Sequence, residues 1–430
     1  MFSTLRNAWK VQDLRKKMLF TFFIIVIYRL CNAIPAPFVD TAQLNAAFNQ
    51  EGGLANTILG LYNVMSGSAF SQASVLALSI QPYINASIII QLLTIAIPAL
   101  ERLSKDGGED GKRKIERITR YTTVGLGLLM GFAYFMMLKN TYHGILSDES
   151  FLAALVIILT FTAGASLVMW LGEQITEFGI GNGISIILFA NIVSRMPATI
   201  GNMFTQLVNS FSSYWYVFLL AILGALLMVL LVVFITDAER RIPVQYAKRV
   251  VGRKVYGGQN TNLPIKVNMT GVLPIIFAQS ICSLPATIAT FCGMDQTNGW
   301  YKYVFSSRSA AYCIFYFILI IGFSYFYATI QYNPIEISNN LKKNGGFIPG
   351  FRPGRPTSDF IAKVINKITL FGALYLAVVA IAPIILGAAV GDNTVAIGGT
   401  SVIIVVGVAL ETVAAMEAQM LMRHYKGFLE

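Results

Sequence analysis

The chain has 430 residues, of which 55% are hydrophobic and only 12% are charged, and its mean hydropathy is +0.64. A soluble globular protein carries about twice this charged fraction, so the composition excludes soluble enzymes and secreted domains. The formal net charge of +11 is compatible with nucleic acid, an acidic partner or anionic lipid until the positions of the basic residues are considered.

Long uncharged runs predict an all-α polytopic membrane protein. No Asp, Glu, Lys or Arg occurs in 151–171 or in 196–236, and about 20 apolar residues suffice to cross a bilayer. The first run resembles a signal peptide, but it is long and contains Arg29, which favours a retained helix. Ten candidate helices result: 18–36, 75–98, 121–138, 151–171, 180–194, 214–235, 269–291, 310–330, 368–388 and 395–422.

The distribution of basic residues predicts the orientation. An even number of spans places both termini on one side, and 27 of the 32 Lys and Arg residues lie in the segments on that side. The positive-inside rule therefore places both termini in the cytoplasm. Arg29 lies toward the outer end of the first span, from which its side chain can snorkel to the surface. The opposite side holds four: Lys139, Arg195, Lys302 and Arg308.

Five spans in each half give halves of opposite orientation, 1–194 and 195–430. Inverted repeats of this kind occur in many transport proteins, so the topology permits one here.

The outer segment 55–74 is too weakly apolar to span the membrane. Its apolar residues, among them Ile58, Leu61, Tyr62 and Met65, recur at helical spacing and predict a short half-helix that ends near Gly67. Two interpretations remain open: an interfacial helix, or a re-entrant element enclosed by protein. Few apolar contacts are expected for the segment, which predicts low local stability.

Two cytoplasmic loops are long and basic. Loop 237–268 contains ERRIPVQYAKR, and its Gly257–Gly258 pair predicts a hairpin turn. Loop 331–367 contains GGFIPGFRPGRPT, whose prolines and glycines predict a stiff protruding loop. The segment before it, at Lys342 and Lys343, is expected to be more flexible. The two loops indicate an anionic cytoplasmic partner, although ordinary positive-inside topology also accounts for their charge.

Motifs for catalysis or for a cofactor are absent from the sequence. There is no GxxxxGK[ST], HExxH, GxSxG or CxxC, and the two histidines and four cysteines are scattered. The sequence therefore predicts neither an enzyme nor a metal or cofactor site. Ionisable residues near the membrane centre are also scarce, which disfavours an ion-coupled transporter.

Six stretches resemble the SecY family, the pore subunits of the bacterial protein-conducting channel, and the resemblance runs from end to end. The stretches are SVLALSIQPYINASIIIQLL (74–93), WLGEQITEFGIGNGISIILFANIV (170–193), ERRIPVQYAKR (239–249), NMTGVLPIIFAQSI (268–281), GGFIPGFRPGRPT (345–357) and GGTSVIIVV (398–406). A less bulky inner half of the last helix, with Gly407, Ala414 and Ala415, departs from the family pattern.

The resemblance implies ten transmembrane helices in two inverted halves around an hourglass pore, with a re-entrant plug half-helix at about 58–72. The plug residues would be Ile58, Leu61, Tyr62, Met65 and Gly67. An aliphatic ring would close the pore by dewetting. A lateral gate between the second and seventh spans, with the third and eighth beside them, would carry a polar cluster of Gln91, Thr122 and Asn268. The ring residues would be Ile80, Ile84, Ile184, Leu188, Ile276 and Ile404.

The resemblance also implies partners and location. The basic loops would dock the SecA motor ATPase and the ribosome, and SecE and SecG subunits, preproteins with signal sequences and anionic lipids would be further partners. The protein would lie in the bacterial cytoplasmic membrane. A secondary transporter of a small solute, with an inverted five-plus-five repeat, is the alternative function. The docking residues would be Arg240, Arg241, Lys248, Arg249, Lys343, Arg352 and Arg355.

Overall fold

A computed structural model describes residues 2–49, 58–105, 107–141, 145–148, 150–209, 211–246, 249–251, 254–256, 260–291, 309–390 and 393–426. Helices dominate these residues. In chain order they are α1 Phe2–Lys10, α2 Gln12–Asn32, α3 Thr41–Asn49, α4 Ile58–Met65, α5 Gln81–Ala96, α6 Pro98–Lys105, α7 Gly108–Thr141, α8 Phe151–Phe178, α9 Gly183–Asn209, α10 Phe211–Asp237, α11 Leu273–Phe291, α12 Ala310–Gln331, α13 Pro334–Lys343, α14 Arg355–Val390 and α15 Asn393–Lys426.

Each of the ten predicted spans overlaps one of these helices: α2, α5, α7, α8, α9, α10, α11, α12, α14 and α15. Within the described residues, seven of them (α7 to α10, α12, α14 and α15) are long and apolar enough to cross a membrane by themselves. The helix α5 passes the same criterion only together with α6, from which a bend of 104° separates it. Charges at both ends of α2 and the shorter apolar stretch of α11 distinguish these two helices from the seven.

Two helices extend past the predicted ends of their spans. The helix α9 continues to Asn209, so the predicted boundary at residues 194 and 195 falls inside it. The helix α14 begins at Arg355, well before the predicted start of its span at residue 368. Hydropathy marks the apolar part of a helix, and polar turns that continue it into water are not detected in this way.

One large hydrophobic core joins the helices around α5. Buried side chains from α2, α3, α4, α5, α7, α8, α9, α10, α11, α12, α14 and α15 form a single cluster. The helix α10 lies at its periphery and exposes one apolar residue after another, from Trp215 to Phe234. An apolar face of this kind is stable in lipid, where it needs no covering by protein.

The predicted second span begins with irregular backbone. Residues 66–80 form turns, and α5 begins only at Gln81, with Pro82 in its first turn. Proline is well suited to that position because it has no N–H to leave unpaired. Ser68, Ala73 and Ser79 have positive φ angles. Irregular backbone at membrane depth is tolerated where protein encloses it, and Ala69, Ala73 and Leu76 are fully buried.

A small sheet joins the two basic loops. The all-helical prediction did not include this sheet. Its order is β4–β1–β5, from strands β1 Glu239–Tyr246, β4 Asn260–Lys266 and β5 Gly346–Phe347. Two further strands, β2 Arg249–Val251 and β3 Lys254–Tyr256, form a hairpin. The turn predicted at Gly257–Gly258 lies outside the described residues.

The sheet has a hydrophobic core of its own. Ile242 and Val244 alternate with exposed residues on β1 and pack with Ile265, Ile361 and Ile365. Much of the loop predicted over 331–367 is therefore helix α13, strand β5 and the start of α14. The prediction of a flexible segment at Lys342 and Lys343 was wrong, because both residues lie in the last turn of α13.

Candidate functional site

The predicted plug is the helix α4, which ends at Met65, followed by a turn at Gly67. Tyr62, Met65 and Gly67 are buried, whereas the side chains of Ile58 and Leu61 lie outside the described residues. The Tyr62 hydroxyl and Ser283 Oγ on α11 share a hydrogen bond of 2.8 Å. The predicted plug is thus bonded directly to the predicted gate helix.

The turn after α4 is packed against several helices through Phe70. Its ring lies 4.5 Å from the Tyr134 ring on α7, 5.8 Å from that of Phe48 and 6.1 Å from that of Tyr62. The Tyr134 hydroxyl donates to the Phe70 carbonyl at 2.5 Å. The prediction of few apolar contacts was therefore wrong, since Tyr62, Met65 and Phe70 all belong to the main core.

The predicted aliphatic ring lies within the same core. Ile80, Ile84, Leu188, Ile276 and Ile404 are at most 2% exposed, and Ile184 packs against their cluster. Ile80 occupies the position before α5, and the N–H of Ile84 donates to its carbonyl at 3.0 Å. Four elements (α5, α9, α11 and α15) thus contribute aliphatic side chains, and no ionisable group is among them.

Gln91 lies on α5, Thr122 lies on α7 and Asn268 precedes α11, and these three helices pack against one another. Thr122 on α7 donates its hydroxyl to Ile118 in its own helix at 2.9 Å. Asn268 is buried, and its Oδ1 has no hydrogen-bond partner among the described residues. In its described part the structure shows no direct bond between the three residues.

Gln91 instead accepts a hydrogen bond of 2.7 Å at Oε1 from the Tyr327 hydroxyl on α12. The Tyr327 ring also lies 5.3 Å from that of Phe277 on α11. Tyr327 therefore contacts both sides of the predicted gate. The sequence analysis did not single it out, because it is one of many aromatic residues on α12.

The last helix holds the start of α11. The Glu411 carboxylate on α15 accepts from the N–H of Val272 at 3.1 Å. Gly271, with φ +63°, directly precedes Val272, and a Cβ at Gly271 would overlap the Glu411 carboxylate. A Cβ at Gly407 would overlap the Val272 side chain. The small residue that departs from the family pattern thus makes room for Val272.

The predicted docking residues lie on both basic loops. Arg240, Arg241, Lys343, Arg352 and Arg355 are exposed. Pairing of Gln245 with Phe347 and of Tyr246 with Gly346 connects the two loops into one surface. Lys248 and the side chain of Arg249 lie outside the described residues.

The loop around Arg352 is held by specific contacts. The Arg352 carbonyl accepts from the Thr357 hydroxyl at 2.8 Å, and the Gly354 carbonyl accepts from Ser338 on α13 at 2.9 Å. The rings of Phe351 and Phe360 stack at 4.2 Å. The predicted stiffness of the loop tip agrees with these contacts.

Solved structures with the same fold are protein channels. A protein-conducting channel superposes with a TM-score of 0.69 at 16% identity, covering 94% of this chain and 92% of that one. Sec61 from a canine ribosome–channel complex gives a TM-score of 0.63 at 15% identity, covering 94% and 92%. The predicted fold class, a helical polytopic membrane protein of channel architecture, is confirmed.

Sequence comparisons agree with this fold. The chain is 44% identical to the protein translocase subunit SecY of Streptomyces scabiei and 42% identical to that of Corynebacterium glutamicum, each over 100% of both chains. The family model SecY matches residues 74–413. The chain therefore belongs to the SecY family.

Proposed function

We propose that this chain is the central subunit of a protein-conducting channel, which moves unfolded preproteins across a membrane and releases transmembrane segments sideways into lipid. Full-length identity of 44% to translocase subunits supports this function and disfavours the solute transporter. The observation that carries the proposal is the buried aliphatic ring, which has the plug packed into the same core.

The ring and the plug have complementary roles in this proposal. Ile80, Ile84, Ile184, Leu188, Ile276 and Ile404 form a collar that excludes water and ions at rest, since a narrow aliphatic passage dewets. A polypeptide passes when the collar widens, because flexible aliphatic side chains make no specific bonds to it. The plug residues, Ile58, Leu61, Tyr62, Met65 and Gly67, block the resting path.

The gate opens along the seam of α5, α7, α11 and α12. Gln91, Thr122 and Asn268 supply polar groups there, and hydrogen bonds between membrane helices are worth about 1 kcal/mol each. The bond between Gln91 and Tyr327 is of this kind. It helps to keep the seam closed, and it is weak enough to break when an apolar signal sequence binds between the helices.

The predicted halves, 1–194 and 195–430, are the two inverted units of the channel, and the helix α9, which continues to Asn209, carries the boundary between them. The cytoplasmic membrane of a bacterium is its location, with both termini in the cytoplasm, because the basic loops would face that side. Multi-pass insertion itself follows from the apolar helices.

Partners bind the cytoplasmic face. SecA and the ribosome dock on Arg240, Arg241, Lys248, Arg249, Lys343, Arg352 and Arg355, since guanidinium groups bind carboxylates and phosphates alike. SecE and SecG complete the membrane complex, and anionic lipids neutralise the remaining charge. The chain itself has no nucleotide-binding motif and catalyses no reaction, so SecA or the ribosome supplies the energy.

Reconstitution tests the function. Proteoliposomes that contain this chain, a SecE-like subunit and SecA are given ATP and a preprotein, and protection of the preprotein from added protease is measured. ATP-dependent protection is the expected result, and liposomes without the chain are the control. Absence of protection, together with uptake of a radiolabelled small solute, would instead establish a transporter.

A further inference from the structure

The C-terminal end of the plug helix has two carbonyl groups that its own backbone does not satisfy. Within the turn, the N–H groups of Ser66, Gly67 and Ser68 donate to Tyr62, Val64 and Asn63. The carbonyls of Met65 and Gly67 are left for other partners. Carbonyl groups at the end of a helix carry partial negative charge and need donors when they are buried.

Side chains from two other helices donate to these carbonyls. Asn191 on α9 is fully buried, and its Nδ2 donates to the Met65 carbonyl at 2.8 Å. Arg29 on α2 donates from Nη1 to the Gly67 carbonyl and from Nη2 to the Ala190 carbonyl, each at 3.5 Å. The expectation that Arg29 snorkels to the outer surface was therefore wrong.

Gly67 fits tightly between the same two side chains. A Cβ at this position would lie 2.8 Å from Arg29 Nη1 and 3.0 Å from Asn191 Oδ1. The φ angle of +67° is also one that glycine adopts without strain. The close approach and the φ angle together indicate that the turn is shaped to bring its carbonyls against Arg29 and Asn191.

A guanidinium inside a membrane-spanning helix is costly and is usually retained for function. The structure shows Arg29 bonded to carbonyl oxygens, one of them in the plug, and its contacts therefore point to the plug. We propose that Arg29 and Asn191 are positioning residues that cap the C-terminal end of α4 and anchor the plug in its resting place. The inference rests on the proposed function, because it assumes that α4 is a plug.

The cap would make plug release depend on α2 and α9. Moving α4 outward breaks the bonds of Met65 and Gly67 and leaves the guanidinium without its partner in the plug. Loss of the cap should therefore shift the plug toward the displaced position while the aliphatic collar stays intact.

A cysteine reporter on the plug tests the anchor. The parent is a complete channel complex in which Cys31, Cys282, Cys292 and Cys313 are replaced by serine and Ser68, half-buried in the plug turn, is replaced by cysteine. The rate of labelling by a membrane-impermeant maleimide, added from the outer side, measures plug displacement. Preprotein translocation by the parent is measured in parallel.

Arg29→Gln should raise the labelling rate about fivefold, the effect of losing one interhelical bond of ordinary strength. Arg29→Lys should give an intermediate rate, because one ammonium does not reach both carbonyls as a guanidinium does. Arg195→Gln is the matched control, since it removes a half-buried arginine one turn along α9 from Asn191. Its labelling rate should equal that of the parent.

Gly67→Ala approaches the same contact from the plug side and should also raise the rate. Equal labelling of Arg29→Gln, Arg195→Gln and the parent would overturn the anchor. If Arg29→Gln does not accumulate, Gly67→Ala decides, and labelling of that variant at the parent rate would overturn the anchor as well. A parent that fails to translocate preprotein would contradict the proposed function instead, so the two failures are distinct.

Discussion

The Glu411 carboxylate on α15 accepts a hydrogen bond from the backbone N–H of Val272, at 3.1 Å, where the helix α11 begins. The first N–H groups of a helix have no partner within it, and a negative charge near them is favourable. Gly271 and Gly407 leave the space in which the carboxylate and the Val272 side chain fit. One acidic side chain therefore fixes the start of the proposed gate helix relative to the last helix.

Glu411→Ala should destabilise the closed state of the gate. The substitution leaves a largely buried N–H without its acceptor, which costs about 2 kcal/mol. We expect a lower midpoint of thermal unfolding in detergent and export of preproteins with defective signal sequences. Glu411→Gln should lie closer to wild type, because it keeps an oxygen acceptor, and Glu417→Gln, an exposed position on the same helix, serves as the control. Equal behaviour of all three variants would show that the bond has no role in the gate.

Tyr327→Phe should loosen the gate seam without disturbing its packing. The phenyl ring keeps the contact with Phe277, but Gln91 loses the donor that now lies 2.7 Å from its Oε1. Loss of about 1 kcal/mol corresponds to about a fivefold shift in the gate equilibrium. A disulfide cross-link between cysteines placed on α5 and α11 should form more slowly in this variant. Tyr325→Phe on the same helix is the control, and an unchanged rate in both variants would contradict the prediction.

The helical part of the fold could be predicted from the sequence because membrane helices are detected one at a time. Each apolar run satisfies its own backbone hydrogen bonds, so its existence depends on local hydropathy alone. The turns at 75–80 were not predicted, since that segment is at least as apolar as the helix α5 after it. Its conformation depends on enclosure by other helices.

Long-range contacts were the features that the sequence could not supply. Strand β5 has only two residues, and it exists because it pairs with β1, about 100 residues earlier in the chain. Arg29, Tyr327 and Glu411 are polar residues in largely apolar helices, and the residues next to them in the sequence do not indicate whether such a side chain bonds to protein or to water. The roles of the ring, plug, gate and docking residues stay predictions until variants test them.

Replacing collar residues should raise ion leak through the resting channel. Leu188→Ser, Ile276→Ser and Ile404→Ser in combination place hydroxyls where the collar is dry, and wetting of the constriction increases conductance in a planar bilayer. Ile187→Ser is the control, because Ile187 is equally buried and neighbours Leu188 on α9. That control should lower stability without increasing the leak. Resting conductance at the wild-type level in the triple variant would refute the collar.

The last prediction separates an oriented contact from bulk positive charge on the docking surface. Arg352 is exposed on a loop tip. A hydrogen bond from the Thr357 hydroxyl to the Arg352 carbonyl and the stacking of Phe351 on Phe360 hold this tip in place. Lys343 is also exposed, at the end of α13. A guanidinium offers two parallel hydrogen bonds that an ammonium does not. If the loops supplied only charge, exchange of lysine and arginine at either position would have no effect.

Arg352→Lys should therefore reduce SecA-driven translocation by about tenfold, since a charge-assisted hydrogen bond contributes about 1.5–3 kcal/mol. Lys343→Arg should stay near the wild-type rate because it adds a guanidinium group and removes no guanidinium contact. Thr357→Val, which removes the bond to the Arg352 carbonyl, should give an intermediate rate because the arginine is kept but the loop that orients it is loosened. Expression, membrane insertion and resting conductance should be unchanged in all three variants. Near-normal translocation by both Arg352→Lys and Thr357→Val would show that this loop contributes only the positive charge that positive-inside topology requires, because neither the shape of the cation nor its orientation would then matter.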